Sequence, residues 1–135
     1  MPLPNLKDAS LQKSFALPNG VASTVSAAIQ VNAAGYEFTA NAELLIEAPA
    51  LTTARLPDGQ TVSYALEQSV DEAFTSPVPL YGTLFTQTGA GGIGALAASD
   101  RVRLPSDVLP WVRLKATKTG AANASGASAT LSLVF

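Results

Sequence analysis

The apolar positions of this chain recur with a period of two, in short runs separated by proline, glycine and asparagine. The last run is the most regular: from Ala127 to Phe135, Ala129, Leu131, Leu133 and Phe135 share one side and Ser128, Thr130 and Ser132 the other. Alternation of this kind puts every second side chain on one face of a sheet. Thr61 to Glu67 alternates too, with Val62, Tyr64 and Leu66 on one side and Thr61, Ser63 and Glu67 on the other. In Trp111 to Thr117, Val112, Leu114 and Ala116 oppose Trp111, Arg113 and Lys115; in Asp100 to Leu104, Val102 and Leu104 oppose Arg101 and Arg103. Weaker strand patterns cover Lys13 to Leu17, Thr24 to Val31 (apolar at Val25, Ile29 and Val31), Tyr36 to Thr39, and Leu80 to Thr88, where Gly82 suggests a bulge. Asn41 to Ala48 carries Leu44, Leu45 and Ile46 in a row, which reads as a strand buried on both sides or an interface strand. A helix stays open there, because Ala, Glu and Leu favour one; Pro49 ends either element.

The punctuation between runs is turn chemistry. Pro18-Asn19-Gly20 and Pro57-Asp58-Gly59 are strong turn signals. Ser69-Val70-Asp71-Glu72 predicts a capped turn leading into one helical turn at Glu72 to Phe74, with Phe74 as a core plug beneath the connection to Pro77 and Pro79. Ser106 and Asp107 are placed to cap one turn between Pro105 and Pro110, and Thr119 to Gly126 reads as a long, small, polar loop. About eight short strands and no long helix predict an all-β, two-sheet sandwich. The long connections favour a jelly roll over simple hairpins. Residues 13–135 read as one domain of this type. Residues 1–12, with two prolines and little periodicity, read as an extended N-terminal arm or a frayed terminus.

Composition narrows the function. The 135 residues include no cysteine and no histidine, which removes disulfides, zinc–thiolate sites, thiol catalysis and the commonest general base. Charged residues are only 13% of the chain, low for a free monomer, and suggest that part of the surface is buried against a partner. The charge is uneven along the chain. Met1 to Glu72 holds three basic residues against eight acidic ones; Ala73 to Phe135 holds five basic (Arg101, Arg103, Arg113, Lys115, Lys118) against two acidic. Such asymmetry can guide docking, unless the fold mixes the two halves in space. Five basic residues with Trp111 as the single nearby stacking surface are too sparse for nucleic acid. The start has no basic segment followed by an apolar core, and no apolar run approaches a transmembrane length; the expectation is a protein made and kept soluble in a cytoplasm, without a membrane partner.

The chemical motifs are weak. Gly89-Ala90-Gly91-Gly92-Ile93-Gly94 matches G-x-G-x-x-G, but neither an opening helix nor a βαβ unit follows, so a flexible loop that orders on contact is the better reading. Asp71 and Glu72 are adjacent carboxylates, yet a calcium site needs six or more oxygens and neighbouring strand residues point apart. The many Ser and Thr residues have no histidine to activate them. The expectation is a non-enzymatic protein with no cofactor, no metal and no small-molecule substrate.

An ordered set of segments then carries a resemblance. Leu66 to Pro77 (LEQSVDEAFTSP, with Glu67 inserted in the usual L-Q order), Arg101 to Pro105 (RVRLP), Trp111 to Leu114 (WVRL) and the terminal SATLSLVF resemble the jelly-roll capsid cement, or decoration, proteins of tailed bacteriophages. The likeness covers the C-terminal half; residues 1 to 60 match loosely or not at all. It implies a virion protein on the outside of an icosahedral head, tying neighbouring major capsid protein subunits together, and a homo-oligomer, most simply a dimer on a local two-fold. The candidate interface residues are Leu3, Leu6 and Leu11 of the arm and Arg101, Arg103, Trp111, Arg113 and Lys115 of the strands. Trp111 can equally cover the open edge of a core. A carbohydrate-binding jelly roll, which would want several exposed aromatics among the nine present, and a head-completion or tail protein are the alternatives.

Overall fold

The computed structural model describes residues 12–31 and 42–134. These form nine strands: β1 (Gln12–Ala16), β2 (Ala22–Val25), β3 (Ile29–Gln30), β4 (Glu43–Ala48), β5 (Thr61–Ser69), β6 (Val78–Thr88), β7 (Ala98–Arg103), β8 (Trp111–Lys118) and β9 (Ser128–Val134). There is no helix among the described residues. Residues 1–11 of the arm and the short strand expected at Tyr36 to Thr39 lie outside them; Gln12, the last residue read as arm, is the first of β1.

Two antiparallel sheets face each other. One runs β1-β9-β4-β7; the other runs β2-β8-β5-β6, with β3 also paired to β8. Taking β2 and β3 as one interrupted strand, the pairings nest: β1 with β9, β2/β3 with β8, β4 with β7, and β5 with β6. Nested antiparallel pairs wound across two sheets, closed by β4–β9 and β5–β8, make the jelly-roll order. The alternating runs fill the space between the sheets. Leu44 and Ile46, Val62, Tyr64 and Leu66, Val112, Leu114 and Ala116, and Ala129, Leu131 and Leu133 are all buried in one core cluster. Burial at ~25 cal/mol per Å² of apolar surface makes that cluster the main stabilising term.

Three elements differ from their sequence reading, each for a local reason. The strand expected over Thr24 to Val31 is broken at Ser26. The Ser26 N–H donates to the Leu114 carbonyl (2.9 Å), and the Ser26 hydroxyl oxygen accepts from the Leu114 N–H (3.0 Å), so one serine replaces a step of the ladder. The register against β8 slips by one: Val25 faces Lys115 but Ile29 faces Val112. A one-residue slip flips the face, so Val25 points out while Ile29 and Val31 are buried. The Leu44-Leu45-Ile46 run is a strand, but of its three apolar side chains Leu45 is only half-buried, because it lies on the outer face opposite Arg101 and Ser132. Helical structure at Glu72 to Phe74 does not form. The Phe74 N–H closes a turn onto the Asp71 carbonyl at 3.2 Å, and Phe74 takes a left-handed φ of 53° that ends any helical winding.

Gly82 falls where a bulge was expected. Between Tyr64 and Leu66, β6 advances from Phe85 to Tyr81, two residues more than β5. The glycine loop after β6 is tied down. Leu51 and Ala95 exchange both backbone hydrogen bonds at 2.9 Å, and a side chain on Gly94 would collide with the Leu51 carbonyl. Gly89, which packs on the Leu56 and Pro57 carbonyls, and Gly94 serve close backbone approach.

Candidate interaction surface

The strand positions singled out in the sequence divide between the two outer faces of the sandwich. Trp111, Arg113 and Lys115 alternate with the buried Val112, Leu114 and Ala116, so they lie on the outer face of the β2-β8-β5-β6 sheet. Arg101 and Arg103 alternate with Val102 on β7, on the outer face of the other sheet. One patch therefore cannot contain all five. Leu3, Leu6 and Leu11 lie outside the described residues.

On the β8 face the charges are already used. Arg113 Nε and Nη2 both donate to Glu67 Oε1, at 2.9 and 2.8 Å, and Lys115 Nζ lies 3.8 Å from Glu67 Oε2. The guanidinium also sits 4.2 Å above the Phe74 ring. A cation over an aromatic face gains about 0.5–2 kcal/mol, more when it is desolvated, and the Arg113 side chain is only 20% exposed. Phe74 is buried, but beneath Arg113 on the outer face and apart from the core cluster between the sheets. It plugs the β5–β6 connection against the outside of its own sheet and does not serve as a core plug.

That connection is held by one carboxylate. Asp71 Oδ1 accepts from the Ser69 hydroxyl (2.7 Å) and the Thr75 N–H (3.2 Å), and Oδ2 accepts from the Thr75 hydroxyl (2.6 Å). Hydrogen bonds from Thr75 and then Ser69 hold the Asp71 carboxyl below its ordinary value. The turn reading of Asp71 thus matches its geometry, and its partners are hydroxyls and an amide. At the Gly82 bulge lies an open depression of about 370 Å³ bordered by Ser63, Ala65, Glu67, Thr83 and Lys115. Two of its hydroxyls are paired in cross-strand bonds, Ser63 with Thr86 (3.0 Å) and Thr117, which also lines it, with Ser23 (2.9 Å).

Two buried polar groups were not singled out in the sequence, although strand phase marks both. Lys118 continues the inward positions of β8 and is 1% exposed. Its ammonium donates to Gln60 Oε1 (2.8 Å) and to the carbonyls of Thr119 (3.0 Å) and Gly120 (3.1 Å), and burial pushes its pKa down. Gln87 shares its face with Phe85. It accepts from the Tyr64 hydroxyl (2.6 Å) and donates to the carbonyls of Pro49 (2.8 Å) and Leu96 (2.9 Å), which fixes the loops before β5 and β7 to the core. Burial raises the Tyr64 pKa.

The charge asymmetry along the chain is mixed by the fold. Acidic Glu43 pairs in register with Arg103, and Glu67 binds Arg113, so the two halves neutralise each other across strands. Among the described residues no three carboxylates converge on a metal position, and no helix is long and apolar enough to cross a membrane. Every described aromatic side chain is buried or half-buried, so none offers an exposed sugar-stacking platform. No protein-family model matches the chain, and no curated protein or solved structure matches it significantly.

Proposed function

We propose that this protein is a non-enzymatic structural component of a tailed-phage head, which binds the outside of the capsid and cements neighbouring major capsid protein subunits. The observation that supports the reading is the jelly-roll order of the strands, which is the fold the resemblance implies; the four resembling segments form its β5–β6 corner, the end of β7, the start of β8, and β9. A rigid domain with low surface charge and built, strapped loops suits a bridge between two larger subunits. Many weak bridges act together through multivalency. Localisation on the virion surface, the major capsid protein as partner and two-fold self-association belong to the same reading. A carbohydrate-binding role is less well supported, because the described aromatics are withheld from the surface.

The test is deletion of the gene from the phage that carries it, followed by electron microscopy and heating of purified heads. Cement function predicts heads that assemble with normal geometry but lose their genome at lower temperature, with restoration on adding purified protein. Heads of normal heat resistance that lack tails would instead assign the chain to head completion.

A further inference from the structure

A jelly roll of two open sheets has four strand edges, and this protein blunts three of them. β1 is five residues long and carries Lys13; β7 carries Asp100, Arg101 and Arg103; the β2/β3 edge is interrupted at Ser26 to Ala28. Short length, charge and irregularity are the devices by which sheet edges avoid pairing with other chains. The fourth edge lacks them over its last part. β6 spans eleven residues, VPLYGTLFTQT, without one charged side chain, and β5 is its only strand partner among the described residues. Pro79 and the bulge between Tyr81 and Phe85 protect its first part; Phe85 to Thr88, which pairs with β5 in unbroken register, has neither.

We propose that the last part of β6, centred on Thr86, pairs antiparallel with the same segment of a second copy of this chain, about a two-fold axis at Thr86. Antiparallel pairing of one strand with its own copy is self-complementary, as a two-fold interface requires. Apolar surface beside the edge fits this occupant. An open depression of about 370 Å³ adjoins the end of β6, lined by Thr86, Thr88, Ile93, Leu96 and Ala97. Ile93 and Leu96 are 75% and 81% exposed there. Because Thr86 and Thr88 border that depression, an axis at Thr86 brings these exposed apolar side chains of both copies next to the interface. The proposal gives a geometry to the self-association in the capsid reading but is argued from the strand edge alone, so a monomer that still cements heads would sink it without sinking the cement function.

Sedimentation equilibrium of the purified chain tests it, with variants in a background that has no native cysteine. The wild type is expected at twice 13.8 kDa at micromolar concentration. Thr86→Lys sets like charges facing each other across the axis and is expected to raise the dimer dissociation constant about tenfold or more. Thr117→Lys, on the same outer face but on interior strand β8, should leave the dimer intact. Thr86→Cys should cross-link two copies on oxidation, and Arg101→Cys on β7 should not; this arm decides the matter if Thr86→Lys fails to fold. A wild-type monomer, a dimer that Thr86→Lys leaves unchanged, or cross-linking through Arg101→Cys in place of Thr86→Cys would overturn the proposal.

Discussion

The outer face of β5 and β8 and the free edge of β6 lie on the same sheet, and they solve the problem of exposure in opposite ways. The first carries charge, and each charge has a partner: Glu67 takes Arg113 and Lys115, and Arg113 also covers Phe74. The second carries no charge at all, and its backbone has no strand partner on the open side among the described residues. Residue type alone would choose the first as an interface, since Trp and Arg anchor many. Geometry reverses that order. An arginine that commits two N–H groups to a neighbouring carboxylate and its plane to Phe74 has less left for a partner, whereas the uncharged edge beside Ile93 and Leu96 has no strand partner on its open side among the described residues.

The comparison can be broken from either side. Phe74→Ala should have the largest effect, because it empties the site beneath Arg113 and leaves alanine at a φ of 53°; a loss of about 3 kcal/mol in urea-induced unfolding is expected, in line with buried aromatic truncations. A loss below 1 kcal/mol would mean that the clamp is decoration. Tyr64→Phe should cost about 1–2 kcal/mol, since it strips buried Gln87 Oε1 of its hydroxyl donor. Faster amide exchange in the loops around Pro49 and Leu96 should accompany it, and unchanged exchange would separate Gln87 from loop anchoring. Arg113→Lys keeps the charge but loses the planar fork; about 1 kcal/mol is expected. Its association state should stay that of wild type, whereas Thr86→Lys should change association and leave monomer stability within about 0.5 kcal/mol. Coupled changes in both quantities for either variant would erase the distinction between face and edge.

The smallest effect concerns acid. The Asp71 carboxyl is held below the ordinary aspartate value of 3.8 in the folded state. Its contribution is therefore fully present above that value and fades as pH falls below it, through the lowered folded value. Asp71→Asn should flatten the acid limb of a stability–pH curve and leave its neutral region nearly parallel to wild type. An unchanged acid limb would remove Asp71 from the account of the β5–β6 turn.

Much of the fold was legible because strand phase is a local signal. The inward residues of β5, β8 and β9 were identified from alternation alone, and Gly82 was correctly read as a bulge from its place inside a strand pattern. What escaped depended on partners distant in sequence. The slip at Ser26 comes from a side-chain hydroxyl competing for Leu114 on β8, and nothing in residues 24–31 announces it. Phe74 reads as a core residue because it is apolar and lies between strands. Its actual cover, Arg113, is 39 positions away in the chain and meets it only when β8 lies beside β5. The open edge of β6 was illegible for a related reason: its lack of charge is visible in the sequence, but that β6 ends its sheet is a fact of topology. Lys118, by contrast, is legible in the sequence: it continues the phase of Val112, Leu114 and Ala116, and an inward lysine at a strand end can reach loop carbonyls with its head while its stem stays in the core.

The cement reading is tested most directly by adding purified protein back to heads made without it and measuring genome retention through a temperature ramp. The account predicts that the wild type binds and raises the temperature of genome loss to that of complete particles. Heads that bind the protein yet release their genome at the unprotected temperature, or that do not bind it at all, would contradict it.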